Sequence, residues 1–306
     1  MLEVRNLSKN FGRIQAVHNL SFSLEKGTVL GFLGPNGAGK TTTMRMLSAY
    51  LEPSAGSIVI QGHDIGKDSL AVRKVIGYLP EGSPLYGELT ARQLLVFIAR
   101  MREIPKRELN SCVEEVMERL FLTEVAEQSI ETLSKGFRRR IGLAQAIIHD
   151  PAVLILDEPT DGLDPNQKRE VRRLIQAMSS EKLIIISTHI LEEVSALCNR
   201  VMIIANGKLK ADDSPLGLLH QSRYNRAVTL RVDDPQSIAS SLSNLPQAAR
   251  VELRRRELTV FPVAGAQLLP EVSKLAEQQA WQVHSIRQEE GRLEDVFRRI
   301  TTEEET

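Results

Sequence analysis

Short, continuous apolar runs alternate with amphipathic stretches through the first two thirds of the chain. This pattern predicts an α/β fold built on buried parallel strands. Val29–Leu33 is an apolar run that ends at Gly34. Thr41–Leu51 follows with helical spacing, placing Met44, Leu47 and Leu51 on one face. The order is therefore strand, glycine loop, helix. Ser57–Ile60 and Val75–Leu79 read as further strands, and Leu89 to Phe121 is helical, with amphipathic stretches at Leu94–Met101 and Val113–Leu120. Arg138–Ile148 is another helix. Ala152–Leu156 and Leu183–Ile186 are unbroken apolar runs, as buried parallel strands require. Val201–Ala205 and Gly207–Lys210 form a hairpin around Asn206-Gly207.

After about Gln221 the composition shifts. Strand Ala227–Val232, helix Pro235–Leu245, strand Arg250–Arg254, strand Leu258–Val263, helix Gln267–Gln279 and strand Gln282–Arg287 follow in turn. That βαββαβ order predicts a small ferredoxin-like α+β domain, and Leu293–Ile300 adds a last helix. The expected division is 1–222 and 223–306, with a helical subdomain at about 82–150.

Composition narrows the function classes. The chain has 306 residues, 39 basic and 39 acidic, so its formal net charge is zero and nothing global argues for nucleic acid. Cys112 and Cys198 are far apart and lack metal-ligand spacing, which reads as a reducing compartment. No apolar run approaches the ~18–20 residues of a membrane span, and polar residues from Glu3 onward argue against a signal peptide. The expectation is a soluble chain that reaches a membrane only through a partner.

The candidate chemistry sits where the strands end. Gly34-Pro35-Asn36-Gly37-Ala38-Gly39-Lys40-Thr41 follows a strand and opens a helix. Glycines there let backbone N–H groups converge on phosphate oxygens, and the helix N-terminus adds positive partial charge. Lys40 would neutralise β- and γ-phosphates, and Thr41 would ligate Mg²⁺. Asp157 and Glu158 end a buried strand, where carboxylates are costly unless they meet a cation or a reacting proton. Asp157 suits Mg²⁺, through water, and Glu158 suits a general base. His189 follows a second buried strand, placed to hydrogen-bond the γ-phosphate and the attacking water.

Together these segments resemble the nucleotide-binding subunit of an ATP-binding-cassette (ABC) transporter over residues about 1–222. Gly34–Thr41 resembles its Walker A motif, with Thr42 beside it, and Val153–Asp157 its Walker B strand. Leu133-Ser134-Lys135-Gly136-Phe137 resembles its signature, Asp161-Gly162-Leu163-Asp164 its D-loop and His189 its switch histidine. Glu81 occupies the Q-loop position, with a possible metal contact, and Phe11, before Gly12, resembles the aromatic that stacks on adenine. Gly77-Tyr78-Leu79-Pro80-Glu81, Pro84-Leu85-Tyr86, Asp164-Pro165-Asn166-Gln167 and Leu293-Glu294-Asp295-Val296-Phe297 narrow the resemblance to ATPase subunits of the ABC-2 type, including the gliding-motility type.

The resemblance implies a P-loop NTPase fold, ATP and Mg²⁺ as ligands, and ATP hydrolysis in the service of an exporter. It implies a head-to-tail dimer with a second copy, in which Ser134 and Gly136 face the partner's γ-phosphate. It also implies a separate polytopic membrane permease, docked near Glu81–Thr90, and a position on the cytoplasmic face of the cell membrane. Three residues, at two motifs, depart from the family pattern. Lys135 and Phe137 replace a glycine and a glutamine of the signature, and Glu81 replaces a glutamine. A soluble ABC-type ATPase in assembly or signalling is the alternative; a nucleotide-binding module without turnover is disfavoured by Asp157 and Glu158. The cargo is not legible, because its contacts belong to the membrane subunit.

Overall fold

The apolar runs become the parallel strands of a six-stranded sheet in the computed structural model, which describes residues 1–302. Across the sheet the order is Lys208–Asp213, Arg200–Ala205, Val29–Leu33, Leu183–Ser187, Val153–Asp157 and Ile76–Leu79. Only Lys208–Asp213, at the edge, runs antiparallel to its neighbour. Every residue of Val29–Leu33, Val153–Asp157 and Leu183–Ser187 is buried, which is why these strands carry no polar alternation. Asn206 and Gly207 both have positive φ, 51° and 71°, as a two-residue hairpin turn demands.

A second, antiparallel sheet joins Ile14–Leu24, Leu2–Phe11, Ala55–Ile60 and His63–Asp64. Helix Lys40–Leu47 binds the two sheets into one core. Its Met44, Met46 and Leu47 pack with Phe32 and Ile155 of the parallel sheet and with Leu2, Leu7, Leu20 and Ile58 of the other. The helix ends earlier than the expected Leu51 because Ala49 turns left-handed at φ 56°.

The 82–150 segment contains helices Ala91–Met101, Leu109–Arg119 and Lys135–Ile147. The expected continuous stretch from Leu89 to Phe121 breaks around Pro105, after Glu103 adopts φ 60°. Lys135–Ile147 begins three residues before the expected Arg138, because the Ser134 hydroxyl caps it by accepting from Phe137 N–H at 3.4 Å. A Cβ on Gly77 would lie 2.0 Å from the Ala146 carbonyl, so only glycine lets this helix settle onto strand Ile76–Leu79.

The chain divides into two compact units, one ending at Asp213 and one beginning at Ser214. The sequence places the division later, at 222/223. Helix Pro215–His220, capped by Ser214, goes with the second unit and packs there against helix Leu293–Thr302. The second unit has its own core, with Val228, Leu230, Leu258 and Val260 packed against Ile238, Leu242 and Val272. Its sheet order is Ala248–Arg254, Glu257–Pro262, Val228–Val232, Val283–Gln288, antiparallel throughout, with helices Pro235–Ser243 and Leu269–Gln278 as the connections. That is the split-βαβ arrangement of a ferredoxin-like fold. Among the described residues no helix is long and apolar enough to cross a membrane.

Candidate functional site

Three adjacent parallel strands, Val29–Leu33, Leu183–Ser187 and Val153–Asp157, deliver their following residues to one edge of the sheet. The glycine loop, His189 and Glu158 therefore meet at the strands' carboxyl ends, where α/β sheets place ligands. A cavity of about 360 Å³ opens there, lined by Asn36, Gly37, Gly39, Lys40, Thr41, Thr42, Glu81, Asp157 and Glu158, together with Ala16. Gly37 and Gly39 have φ 79° and 100°, the conformations that turn successive N–H groups inward. A Cβ on Gly39 would lie 2.4 Å from the Ala16 carbonyl.

Lys40 is the only cation among the residues lining this cavity. Its ammonium donates to the carbonyls of Gly34 at 2.7 Å and Pro35 at 3.1 Å. Burial lowers its pKa, and Glu158, Asp157 and Glu81 oppose that by favouring the charge. Asp157 is 1% exposed. One of its oxygens accepts from the Ser187 hydroxyl; the other, Oδ2, is buried with no partner. An orphaned carboxylate oxygen beside a phosphate-sized cavity fits a cation. Thr41 lines the same cavity, so the residues present are suited to Mg²⁺.

Glu158 has φ 54°, unusual for a residue with a side chain, and its N–H donates to the Ser187 carbonyl at 3.0 Å. His189 Nδ1 lies 3.0 Å from both of its carboxylate oxygens. Burial pushes the Glu158 carboxyl above its usual range, and the hydrogen bond from His189 works against the shift. A basic carboxylate held at the rim of a phosphate cavity can take a proton from water.

The other expected residues divide into three groups. Gly34, Pro35 and Ala38 belong to the loop without lining the cavity, Gly34 and Ala38 buried and Pro35 exposed; a Cβ on Gly34 would lie 2.5 Å from the Ile204 carbonyl. Phe11 is 48% exposed at the tip of a hairpin, with Lys9 over its ring, and does not line the cavity. Its exposure is unlike that of a core side chain. Ser134 and Gly136 also lie outside the cavity, and Ser134 borders a separate hollow with Glu124, Gln128 and Phe137. Lys135 is ion-paired to Asp161 at 2.8 Å.

Ser187, which opens the run Ser187-Thr188-His189, holds Asp157. Two further residues of the site carry no motif. Arg139, 4% exposed, donates to the Asp157 and Glu158 carbonyls. Glu193, fully buried, accepts from Thr160 and from Thr188 Oγ1 at 3.1 Å, tying together the loops that carry the D-loop and His189. Apart from Thr188, five residues before Glu193, their partners are remote in sequence, so local spacing does not announce their roles.

A family model described as "ABC transporter" matches residues 17–161. The chain is 32% identical over 304 residues to "Nod factor export ATP-binding protein I" of Rhizobium sp. (strain N33), covering 99% of this chain and 97% of that protein. It is 36% identical over 225 residues to "ABC transporter A family member 1" of Dictyostelium discoideum, of whose length the match spans 26%. Among solved structures, "Structure of ATP binding subunit of ABC transporter" superposes with a TM-score of 0.68 at 27% identity, covering 72% of this chain and 92% of that one. The motifs, their convergence on one sheet edge and a near full-length relative agree: the chain belongs to the family of ABC transporter ATP-binding proteins.

Proposed function

We propose that this chain is the ATP-hydrolysing motor subunit of an ABC-2 type membrane exporter, a type that includes the gliding-motility subunits its motifs resemble. The observation that carries the hydrolytic reading is the pair Glu158–His189 beside Lys40 and the unpartnered Asp157 Oδ2. Gly37, Gly39, Thr41 and Thr42 cradle the phosphates of ATP, and Lys40 leaves its loop carbonyls to bind the β- and γ-oxygens. Thr41 and Asp157 would hold Mg²⁺, which would supply positive charge against the phosphates, and Glu81, which lines the same cavity, is a further candidate ligand. Glu158 takes a proton as the water oxygen bonds to the γ-phosphorus and the bond to the β-phosphate oxygen breaks. His189 orients Glu158 and the water. Phe11 is the adenine contact.

Ser134 and Gly136 act on the nucleotide of a second copy. Their position away from the chain's own cavity supports this, since a one-site monomer has no use for them there. The export reading draws on the name of the Rhizobium relative. A polytopic permease docks on a groove lined by Tyr50, Leu70, Tyr78, Pro84, Ile98 and Met101, which Glu81 shares with the nucleotide cavity. Tyr50, Leu70 and Met101 are exposed apolar side chains in that groove, the kind of surface a partner covers. On this reading the chain works peripherally, at the cytoplasmic face of the cell membrane, through its partner. No nucleic-acid partner is invoked.

Two experiments follow. Affinity-tagged chain expressed in its native host brings down a membrane protein with several apolar spans, and Tyr50→Asp with Leu70→Asp abolishes that capture. Recovery of the wild type with soluble proteins alone favours the assembly or signalling alternative. The domain assignment is tested by truncation. The nucleotide-binding unit ending at Asp213 binds ATP within about threefold of the full chain, a difference under ~0.7 kcal/mol. A folded truncate that has lost ATP affinity shows instead that the second unit completes the site.

A further inference from the structure

Arg139 is a buried cation whose hydrogen bonds all go to uncharged acceptors. Its Nη1 donates to the Pro80 carbonyl at 2.8 Å and to the Ser83 hydroxyl at 2.6 Å. Its Nε donates to the Glu158 carbonyl at 3.1 Å, and its Nη2 to the carbonyls of Glu158, at 2.6 Å, and Asp157. Burial lowers its pKa, and the charges of Asp157, Asp161, Glu158 and Glu81 oppose the shift. Placing a guanidinium here is costly, and packing alone would be served by an apolar side chain. What the planar fork achieves is placement. It joins three segments: the helix that Ser134 caps, the loop that carries Glu81, and the strand end that carries Asp157 and Glu158. Two of the residues it grips are conformationally unusual. Glu158 has φ 54° and Ser83 has φ 44°, both left-handed without being glycine.

We propose that Arg139 is a positioning residue for hydrolysis, gripping the Glu158 carbonyl so that the left-handed turn aims the Glu158 carboxylate at the nucleotide cavity. The same guanidinium grips Pro80 and Ser83, so the placement of Glu158 answers to the loop that faces the docking groove. This rests on Glu158 being the general base. A lysine cannot replace the fork, because one nitrogen cannot reach acceptors that Arg139 meets with Nε, Nη1 and Nη2.

The test compares ATP affinity and steady-state hydrolysis for the purified full chain and its Arg139→Lys, Arg139→Met, Ser83→Ala and Glu158→Gln variants. Arg139→Lys keeps the charge and the stem; its kcat falls about tenfold or more while KM and ATP affinity move less than about threefold, because the phosphate loop is untouched. Ser83→Ala cuts one leg of the grip and lowers kcat by about threefold. Should Arg139→Met fail to fold, these two variants decide the matter. Wild-type kcat in Arg139→Lys overturns the proposal. So does a fall in kcat matched by loss of ATP affinity and of melting temperature, since that is a merely structural role. The Glu158→Gln arm separates the two readings. If it keeps hydrolysing, the general-base assignment has failed; if it is inactive while Arg139→Lys is normal, only the positioning role has failed.

Discussion

Glu158→Gln lowers the rate of ATP hydrolysis by about 10²–10⁴-fold, or about 3–5 kcal/mol of barrier, and leaves ATP bound. The substitution preserves shape and one hydrogen-bonding oxygen but removes the basic lone pairs. Lys40, Thr41 and Asp157 are untouched, so the phosphate cradle and the cation site survive. With hydrolysis stopped, subunits joined by ATP do not part, and size-exclusion chromatography with ATP and Mg²⁺ shows a dimer that the wild type forms only transiently. The wild type also carries a pH signature. Burial raises the Glu158 pKa above its usual 4.5, and the base works only when ionised. Activity therefore falls on acidification at a pH above the ordinary carboxylate range, and the residual activity of Glu158→Gln lacks that limb. A variant hydrolysing at the wild-type rate removes Glu158 from the role and leaves His189 to be tested next.

Lys40→Ala abolishes tight ATP binding. The cavity brings together Glu81, Asp157 and Glu158, and Lys40 is the one cation among the residues lining it. Without it a triphosphate enters a site of its own sign, balanced only by Mg²⁺ and backbone N–H groups. Losing hydrogen bonds between charged partners costs about 1.5–3 kcal/mol, or about 10–150-fold in affinity, before the added repulsion. Isothermal titration with ATP and Mg²⁺ measures this. Affinity within about twofold of wild type, under ~0.4 kcal/mol, contradicts the phosphate-loop assignment.

The strands that build the site were legible because burial on both faces leaves an unbroken apolar run. Val29–Leu33 is observed as expected, the run expected at Ala152–Leu156 lies one residue later at Val153–Asp157, and Leu183–Ile186 extends by one residue into Ser187. The second unit was legible for a different reason: its turns and periods alternate cleanly enough to spell βαββαβ. The N-terminal strands Leu2–Phe11 and Ile14–Leu24 were not recognised, since left-handed residues at Asn6 and Asn19 break their alternation. Helix Pro165–Met178 also went unrecognised, although Asp164 and Pro165 carry a start signal; the Asp164 carboxylate caps it by accepting from Asn166 and Gln167 N–H at 2.9 Å. Within the site, groups announced by local spacing, such as Lys40 and the Asp157-Glu158 pair, were readable. Those that act through distant backbone were not. Arg139 reads as one of three consecutive arginines, and only the fold turns it inward while Arg138 stays exposed.

The most direct measurement of the central claim, that two copies share two composite ATP sites, is ATP-dependent association of mixed subunits. Lys40→Ala disables a subunit's own phosphate loop, and Ser134→Arg disables what it offers its partner. In a mixed dimer one composite site carries both lesions and the other carries neither. Analytical ultracentrifugation with ATP and Mg²⁺, both variants also carrying Glu158→Gln so that hydrolysis does not part the subunits, is therefore expected to show association in the mixture that neither variant shows alone. A mixture that associates no more than either variant by itself contradicts the shared-site account.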